Sequence, residues 1–216
     1  MIQSTTGIIL RTQTLTESSL IVQWLSPNFG RISTVAKGAR RSKSPFLGKL
    51  DLFYEADFSF AKARRGDLHG LREVQLLKTN GPLRDDIRKL RQAAYAAAFI
   101  GQTTETETPL PAVFELFREF LGILYERKPS PQTIFAFELK MLQELGIEPD
   151  WAQTSLSAGT AKVAAALGKR DLQGGFGVKL ADTQMSELRQ FLHGFIIFHL
   201  GKLPGGRGQA LSNKDD

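Results

Sequence analysis

Between Ser18 and Leu50 the chain carries Arg31, Lys37, Arg40, Arg41, Lys43 and Lys49 and not one Asp or Glu. A segment with a single sign of charge repels itself, and a polyanionic partner relieves that repulsion. The competing reading is a solvated basic loop that binds nothing. Arg31 and Lys37 share parity, so an extended strand would send both to one face with Ser33 between them. Arg40, Arg41 and Lys43 follow among small neighbours (Gly38, Ala39, Ser42, Ser44) that let a phosphate backbone come close. About six phosphate contacts would make affinity fall roughly 10³-fold between 50 and 200 mM salt. Such contacts place a strand without reading its bases. Lys62, Arg64 and Arg65 are expected to extend the track. Phe29 and Phe46 flank the basic stretch and are the candidates for stacking on bases, at roughly 1–3 kcal/mol each. The alternative for both is closure of the barrel ends. Trp24, Tyr54, Phe58 and Phe60 fall on core parity and are assigned to packing.

Residues for covalent or acid–base chemistry do not assemble. There is no phosphate-binding loop of the G-x-x-x-x-G-K-[ST] type, no H-E-x-x-H and no Gly-x-Ser-x-Gly elbow. His193 and His199 lie six residues apart rather than the four that stack side chains on a helix. His199 falls on an apolar stripe, and His69 stands alone in a strand. Asp85 and Asp86 are explained by a helix dipole. No catalytic residue, cofactor or metal site is expected. With no cysteine, disulfides and Cys-ligated metals are excluded.

The elements that must position the basic stretch follow from periodicity. Ile8–Thr12, Leu20–Leu25, Gly30–Lys37, Leu50–Phe60 and His69–Leu77 read as five short strands, with Leu50, Leu52, Tyr54, Ala56, Phe58 and Phe60 on one face. Five such strands in about 80 residues suit a small closed barrel. After Asn80-Gly81-Pro82 the period becomes helical. One helix begins at Asp85–Asp86, with a stripe of Ile87, Leu90, Ala94, Ala97 and Ala98. A second opens at Thr108-Pro109 and a third at Ser130-Pro131, ending at Gly146. Trp151–Ala181, with Gly168, Gly174, Gly175 and Gly177, is expected to be irregular. A last helix from Asp182 carries Met185, Leu188, Leu192, Phe195 and His199.

The fold expected is therefore α+β: a barrel domain over 1–80, a helical domain over 81–200 with the irregular segment 151–181, and a flexible tail over 201–216. The net charge of +6 lies wholly in the barrel, since residues 1–80 hold 12 Lys and Arg against 6 Asp and Glu, and the rest balances. No apolar run nears the roughly 20 residues of a membrane helix, and no signal peptide is seen. A cytoplasmic protein is expected.

Three runs resemble the opening of the bacterial RecO family: Thr6-Gly7-Ile8-Ile9-Leu10-Arg11-Thr12, Glu17-Ser18-Ser19-Leu20-Ile21-Val22, and Phe29-Gly30-Arg31-Ile32-Ser33-Thr34-Val35-Ala36-Lys37-Gly38-Ala39-Arg40-Arg41-Ser42-Lys43-Ser44. Weaker likeness continues at Phe137–Leu142, Leu145–Pro149 and Phe198–Lys202. The resemblance implies an oligonucleotide-binding (OB) barrel followed by a helical domain. It implies a recombination mediator that binds single- and double-stranded DNA and anneals complementary strands. With RecR it would help load RecA onto DNA coated by the single-stranded-DNA-binding protein, whose acidic tail it would meet. It implies no catalysis and no nucleotide cofactor. The positions matching the family's basic barrel residues are Arg31, Lys37, Arg40, Arg41 and Lys43. Many relatives carry a four-cysteine zinc module near the position of Trp151–Ala181, and here that segment has no cysteine.

Two other classes compete. One is an adaptor whose helices meet an acidic tail through an apolar and basic pocket, with Arg118, Lys128 and Lys140 as candidates, the barrel making no direct DNA contact. The other is an RNA-binding barrel.

Overall fold

The structure is a computed structural model that describes residues 1–169, 172 and 179–212. It comprises two compact units, Met1–Gly81 with Thr104–Arg118, and Pro82–Thr103 with Glu119–Asp216.

In the first unit β1 (Ile2–Thr14), β2 (Leu20–Ser26), β3 (Gly30–Ala36), β4 (Glu55–Ala61) and β5 (Leu68–Lys78) close in the order β1-β2-β3-β5-β4. All neighbours are antiparallel except β3 and β5, which run parallel through Ser33–Leu68, Thr34–His69 and Val35–Gly70. This is the expected five-stranded OB-type barrel. β1 serves two partners. Its first half pairs with β4, its second half with β2, and the register shifts between Ile9 and Arg11. Strict alternation therefore fails at that point, and the adjacent Ile8 and Ile9 are both fully buried. Trp24 stacks on Phe58 with centroids 4.0 Å apart, and its indole N–H donates to Thr34 Oγ1 at 2.9 Å.

The expected strand over Leu50–Phe60 is shorter than its alternation suggested. Phe53 takes φ 65°, and its carbonyl accepts from Asn80 Nδ2 at 2.7 Å. That left-handed residue flips the parity. Phe53 is buried, Leu52 is exposed, and β4 begins only at Glu55.

In the second unit α1 (Ile87–Thr103) is preceded by a 3-10 turn, Gly81–Asp85. Asp86 rather than Asp85 serves the helix start, its carboxylate accepting the Arg88 N–H at 2.9 Å. Hydrogen bonds from Arg88 hold Asp86 below the usual carboxylate range. The buried face of α1 is set by Tyr95, Phe99 and Ile100, with Ala94 of the expected stripe exposed, because an alanine methyl carries little apolar area. α2 (Pro111–Glu126), which begins in the first unit and ends in the second, places Pro111 first, not Pro109. Leu110 precedes Pro111, and the residue before a proline is held out of the helical region, which delays the helix; the Leu110 N–H donates instead to Pro27 O at 3.1 Å. α3 (Pro131–Glu144) starts as expected and is buried at every position over Thr133–Leu142 except half-buried Lys140.

The segment expected to be irregular contains α4 (Ala158–Lys169). Its inward positions are Thr160, Ala164, Leu167 and Gly168, too small to print an apolar stripe. Ser157 Oγ donates to Glu187 Oε2 at 2.8 Å, joining α4 to α5 (Asp182–Leu200). Gly174, Gly175 and Gly177 lie outside the described residues. In α5 the buried line is Leu188, Leu192 and Ile196. His199 is exposed and packs beside Phe195 at 4.3 Å, off the stripe expected for it.

The tail expected to be flexible holds a short helix, α6 (Arg207–Ala210). Arg207 is buried and grips Glu138 of α3 through Nε at 2.6 Å and its second nitrogen at 3.0 Å. Tyr95 donates to the same carboxylate at 2.5 Å. Burial and the neighbouring negative charge push the Tyr95 hydroxyl far above its ordinary range. Burial opposes the Arg207 charge, but its bonds to Glu138 outweigh that and raise its pKa. Gln92 Nε2 donates to Ala210 O at 3.0 Å, and Arg189 to Leu211 O at 2.7 Å. A polar sequence thus ends in a buried anchor. Residues 213–216 lie outside the description.

Arg207→Met should destabilise the chain by about 3–5 kcal/mol, because Glu138 keeps its burial and loses its counter-charge. Replacing the whole buried group, Glu138→Leu with Arg207→Met and Tyr95→Phe, should restore most of that loss. Urea denaturation followed by circular dichroism reads both. A surface-like effect under about 0.5 kcal/mol for Arg207→Met would show that the pair is not structural.

Candidate nucleic-acid interface

Register decides which basic residues share an end of the barrel. Leu20 pairs with Ala36, so the β1–β2 turn lies beside the C-terminal end of β3, where Lys37–Lys43 begin. The parallel pair Ser33–Leu68 carries the β4–β5 hairpin to the opposite end, beside Gly30 and Arg31. Six residues of strand separate Arg31 from Lys37, about 20 Å at 3.3 Å per residue. The expected single track is therefore two groups: Lys37, Arg40, Arg41 and Lys43 at one end, and Arg31, Lys62, Arg64 and Arg65 at the other. Between them the outward face of β2 and β3 shows Ile21, Gln23, Ser33 and Val35, all half-buried, and no aromatic ring.

At the Arg31 end the chain supplies its own partners. Arg31 Nε donates to Thr104 Oγ1 at 2.8 Å and a terminal nitrogen to Thr104 O. Burial lowers the Arg31 pKa from its ordinary value. Glu107 pairs with Lys62 at 2.9 Å and meets buried His69 Nε2 at 3.3 Å. The segment sits so close that a Cβ on Gly30, whose φ is 60°, would fall 1.8 Å from Thr108 O. Arg64 and Arg65 are exposed in the hairpin.

At the other end the cations are uncommitted. Lys37, Arg40, Arg41 and Lys43 are exposed and make no ion pair among the described residues. Their loop is a succession of turns. Arg41 N–H donates to Gly38 O at 3.1 Å, Ser44 N–H to Arg41 O at 3.0 Å, and Leu47 N–H to Ser44 O at 3.2 Å. Ala39 and Phe46 enter the barrel core and fix the loop on either side of the cations. Arg40 N–H donates to Ser18 O at 3.0 Å, tying the loop to the β1–β2 turn. Lys49 Nζ reaches Val74 O at 3.2 Å. The result is a fixed set of unpaired positive charges with small residues between them, suited to an anionic polymer.

The stacking expectation is corrected for Phe46. Its side chain is 6% exposed and belongs to the core cluster, so no ring face is offered to a base. Phe29 is half-buried and meets Phe60 edge-on at 5.4 Å. Both close the barrel.

The three residues considered for an acidic tail fall in different units. Arg118 falls in the first unit and pairs with Glu115 at 2.8 Å, while Lys128 and Lys140 belong to the second. Reasoning from sequence missed an open groove of about 600 Å³ on α5, lined chiefly by Leu156, Phe191, Phe195 and Phe198. Among the described residues its one charged lining residue is Glu187, which opposes an acidic ligand. The i, i+4 spacing of Phe191 and Phe195 was the available signal. Among the described residues no cluster of His, Asp or Glu could hold a metal ion, and no helix is long and apolar enough to cross a membrane.

Residues 1–80 match the family described as "Recombination protein O N terminal", and residues 84–157 match "Recombination protein O C terminal". The chain belongs to the RecO family. It is 33% identical over 144 residues to the "DNA repair protein RecO" of Anaeromyxobacter dehalogenans (strain 2CP-C), covering 67% of this chain and 57% of that protein. The protein of the same description from Syntrophus aciditrophicus (strain SB) is 29% identical over 145 residues, 67% of this chain and 56% of the relative. The match thus spans a little over half the length of these relatives. This RecO-family chain lacks a cysteine-based metal module, since it contains no cysteine.

If Phe46 is a core anchor, Phe46→Ala should destabilise the chain by about 3–5 kcal/mol. An exposed stacking ring would leave stability near that of the parent protein. Urea denaturation separates the two outcomes.

Proposed function

We propose that this RecO-family chain is a DNA-binding recombination mediator whose barrel grips the phosphate backbone at Lys37, Arg40, Arg41 and Lys43. The observation that carries the reading is that these four cations are exposed, unpaired and fixed on an anchored loop, while Arg31 and Lys62 are engaged by the Thr104–Thr108 segment. Contacts of this kind address the backbone common to every sequence, and the face between the two barrel ends lacks the rings that would favour unstacked bases. Binding of both single and double strands, and annealing of complementary strands, follow from such a surface. Arg64 and Arg65 add a second, weaker contact at the far end. The reading extends, on the likeness to "DNA repair protein RecO", to work with RecR in loading RecA onto DNA coated by the single-stranded-DNA-binding protein. The role is one of binding and arranging strands, without catalysis or cofactor.

Lys37→Ala with Arg40→Ala should abolish annealing of complementary oligonucleotides. It should lower the slope of log affinity against log salt by about 1.4, two contacts at about 0.7 each on a single strand. Titration by fluorescence anisotropy from 50 to 200 mM salt measures the slope. An unchanged slope and unchanged annealing would overturn the assignment and favour an adaptor whose barrel does not touch DNA.

A further inference from the structure

The β1–β2 turn and the basic loop line an open pocket of about 400 Å³ whose polar lining consists of Thr16, Ser18, Ser19, Lys37 and Arg41, with Gly38 at its wall. Two features make it more than a surface dimple. The first is orientation of donors. Thr16 Oγ1 accepts the Ser19 N–H at 3.1 Å, and Ser19 Oγ accepts the Gly38 N–H at 3.4 Å. Each oxygen is occupied as an acceptor, so each hydroxyl proton remains to be given elsewhere. The Ser18 hydroxyl makes no hydrogen bond among the described residues. The second is the placing of charge. Gly38 adopts φ 69°, and the Arg41 side chain folds back so that its Cδ would lie 3.5 Å from a Cβ at that position. This brings the arginine stem over the turn that follows Lys37. Glu17, the one acid of the β1–β2 turn, is exposed and is not part of the lining. Two cations and three hydroxyls converge with no carboxylate among them.

We propose that this pocket holds a single phosphate group of the bound strand, with Lys37 and Arg41 supplying charge and the hydroxyls of Thr16, Ser18 and Ser19 supplying neutral donors. The β1–β2 turn is then part of the interface and sets where along the loop a phosphate stops, something four non-directional charges alone would not do. The proposal rests on the phosphate-binding reading above and adds residues that carry no charge.

The test uses the full chain and a labelled oligothymidylate, prepared with and without a 5′-phosphate, titrated by anisotropy across salt. Ser18→Ala should weaken binding about three- to tenfold, the range for the net loss of one ordinary hydrogen bond. The salt slope should stay unchanged, because no charge is removed. Ser18→Thr should restore the affinity. Arg41→Gln should lower the slope by about 0.7. In the Arg41→Gln background the further loss on Ser18→Ala should fall below about twofold, because groups sharing one ligand do not act additively. Equal affinity for the two oligonucleotides assigns the pocket to an internal phosphodiester. A gain from the 5′-phosphate that disappears in Ser18→Ala assigns it to a strand end. Both outcomes support a phosphate subsite. Parent affinity in Ser18→Ala, or full additivity with Arg41→Gln, overturns it. The Lys37→Ala and Arg40→Ala pair serves as the control. If that pair loses binding while Ser18→Ala does not, the subsite falls and the interface stands. If neither changes, the interface reading itself has failed.

Discussion

Three parallel residue pairs, Ser33–Leu68, Thr34–His69 and Val35–Gly70, close the barrel, and that closure decides everything about where charge is found. A parallel ladder cannot be joined by a tight hairpin, so the chain between β3 and β5 must travel. It does so through the long basic loop, then β4, then the β4–β5 hairpin. The parallel direction forces the loop and the hairpin to opposite ends. Two basic groups adjacent in the eye of a sequence reader are separated by the length of a strand. One meets the acidic Thr104–Thr108 segment and the other meets solvent.

The same closure explains how the open end is built. A loop of this length would ordinarily be mobile. Here Ala39 and Phe46 sink into the core on either side of the cations, and Arg40 is tied by its backbone to Ser18. The side chains that carry charge therefore project from a frame held by apolar burial. Burial of one small and one large hydrophobe does the positioning, and the arginines and lysines contribute only their charge.

Much of this could be read from residues alone. Alternation located five strands, and Ser130-Pro131 and Gly146 bounded α3. What failed did so for identifiable reasons. Phe53 continues an apolar run while its positive φ breaks the strand, a conformation that glycine, asparagine and aspartate advertise and phenylalanine does not. Pro109 and Pro111 are equally good helix openers, and Pro111 chose between them by holding Leu110 before it out of the helical region. α4 hides behind alanine and glycine. At the interface, the charge of the Lys37–Lys43 loop was plain from composition, because single-sign segments are visible without a fold. Its division from Lys62, Arg64 and Arg65 depends on register. The inward turn of Phe46 and the hydroxyls of Thr16, Ser18 and Ser19 depend on which loops meet in space.

The Glu138 carboxylate sits at the centre of the helical unit and receives its counter-charge from Arg207, nearly seventy positions later in the chain. During synthesis α1 and α3 emerge long before that arginine does. Until translation has passed Arg207, closing those helices around Glu138 would bury an anion without its counter-charge. Final packing of α1 and α3 around that carboxylate is thereby coupled to a residue made long after them.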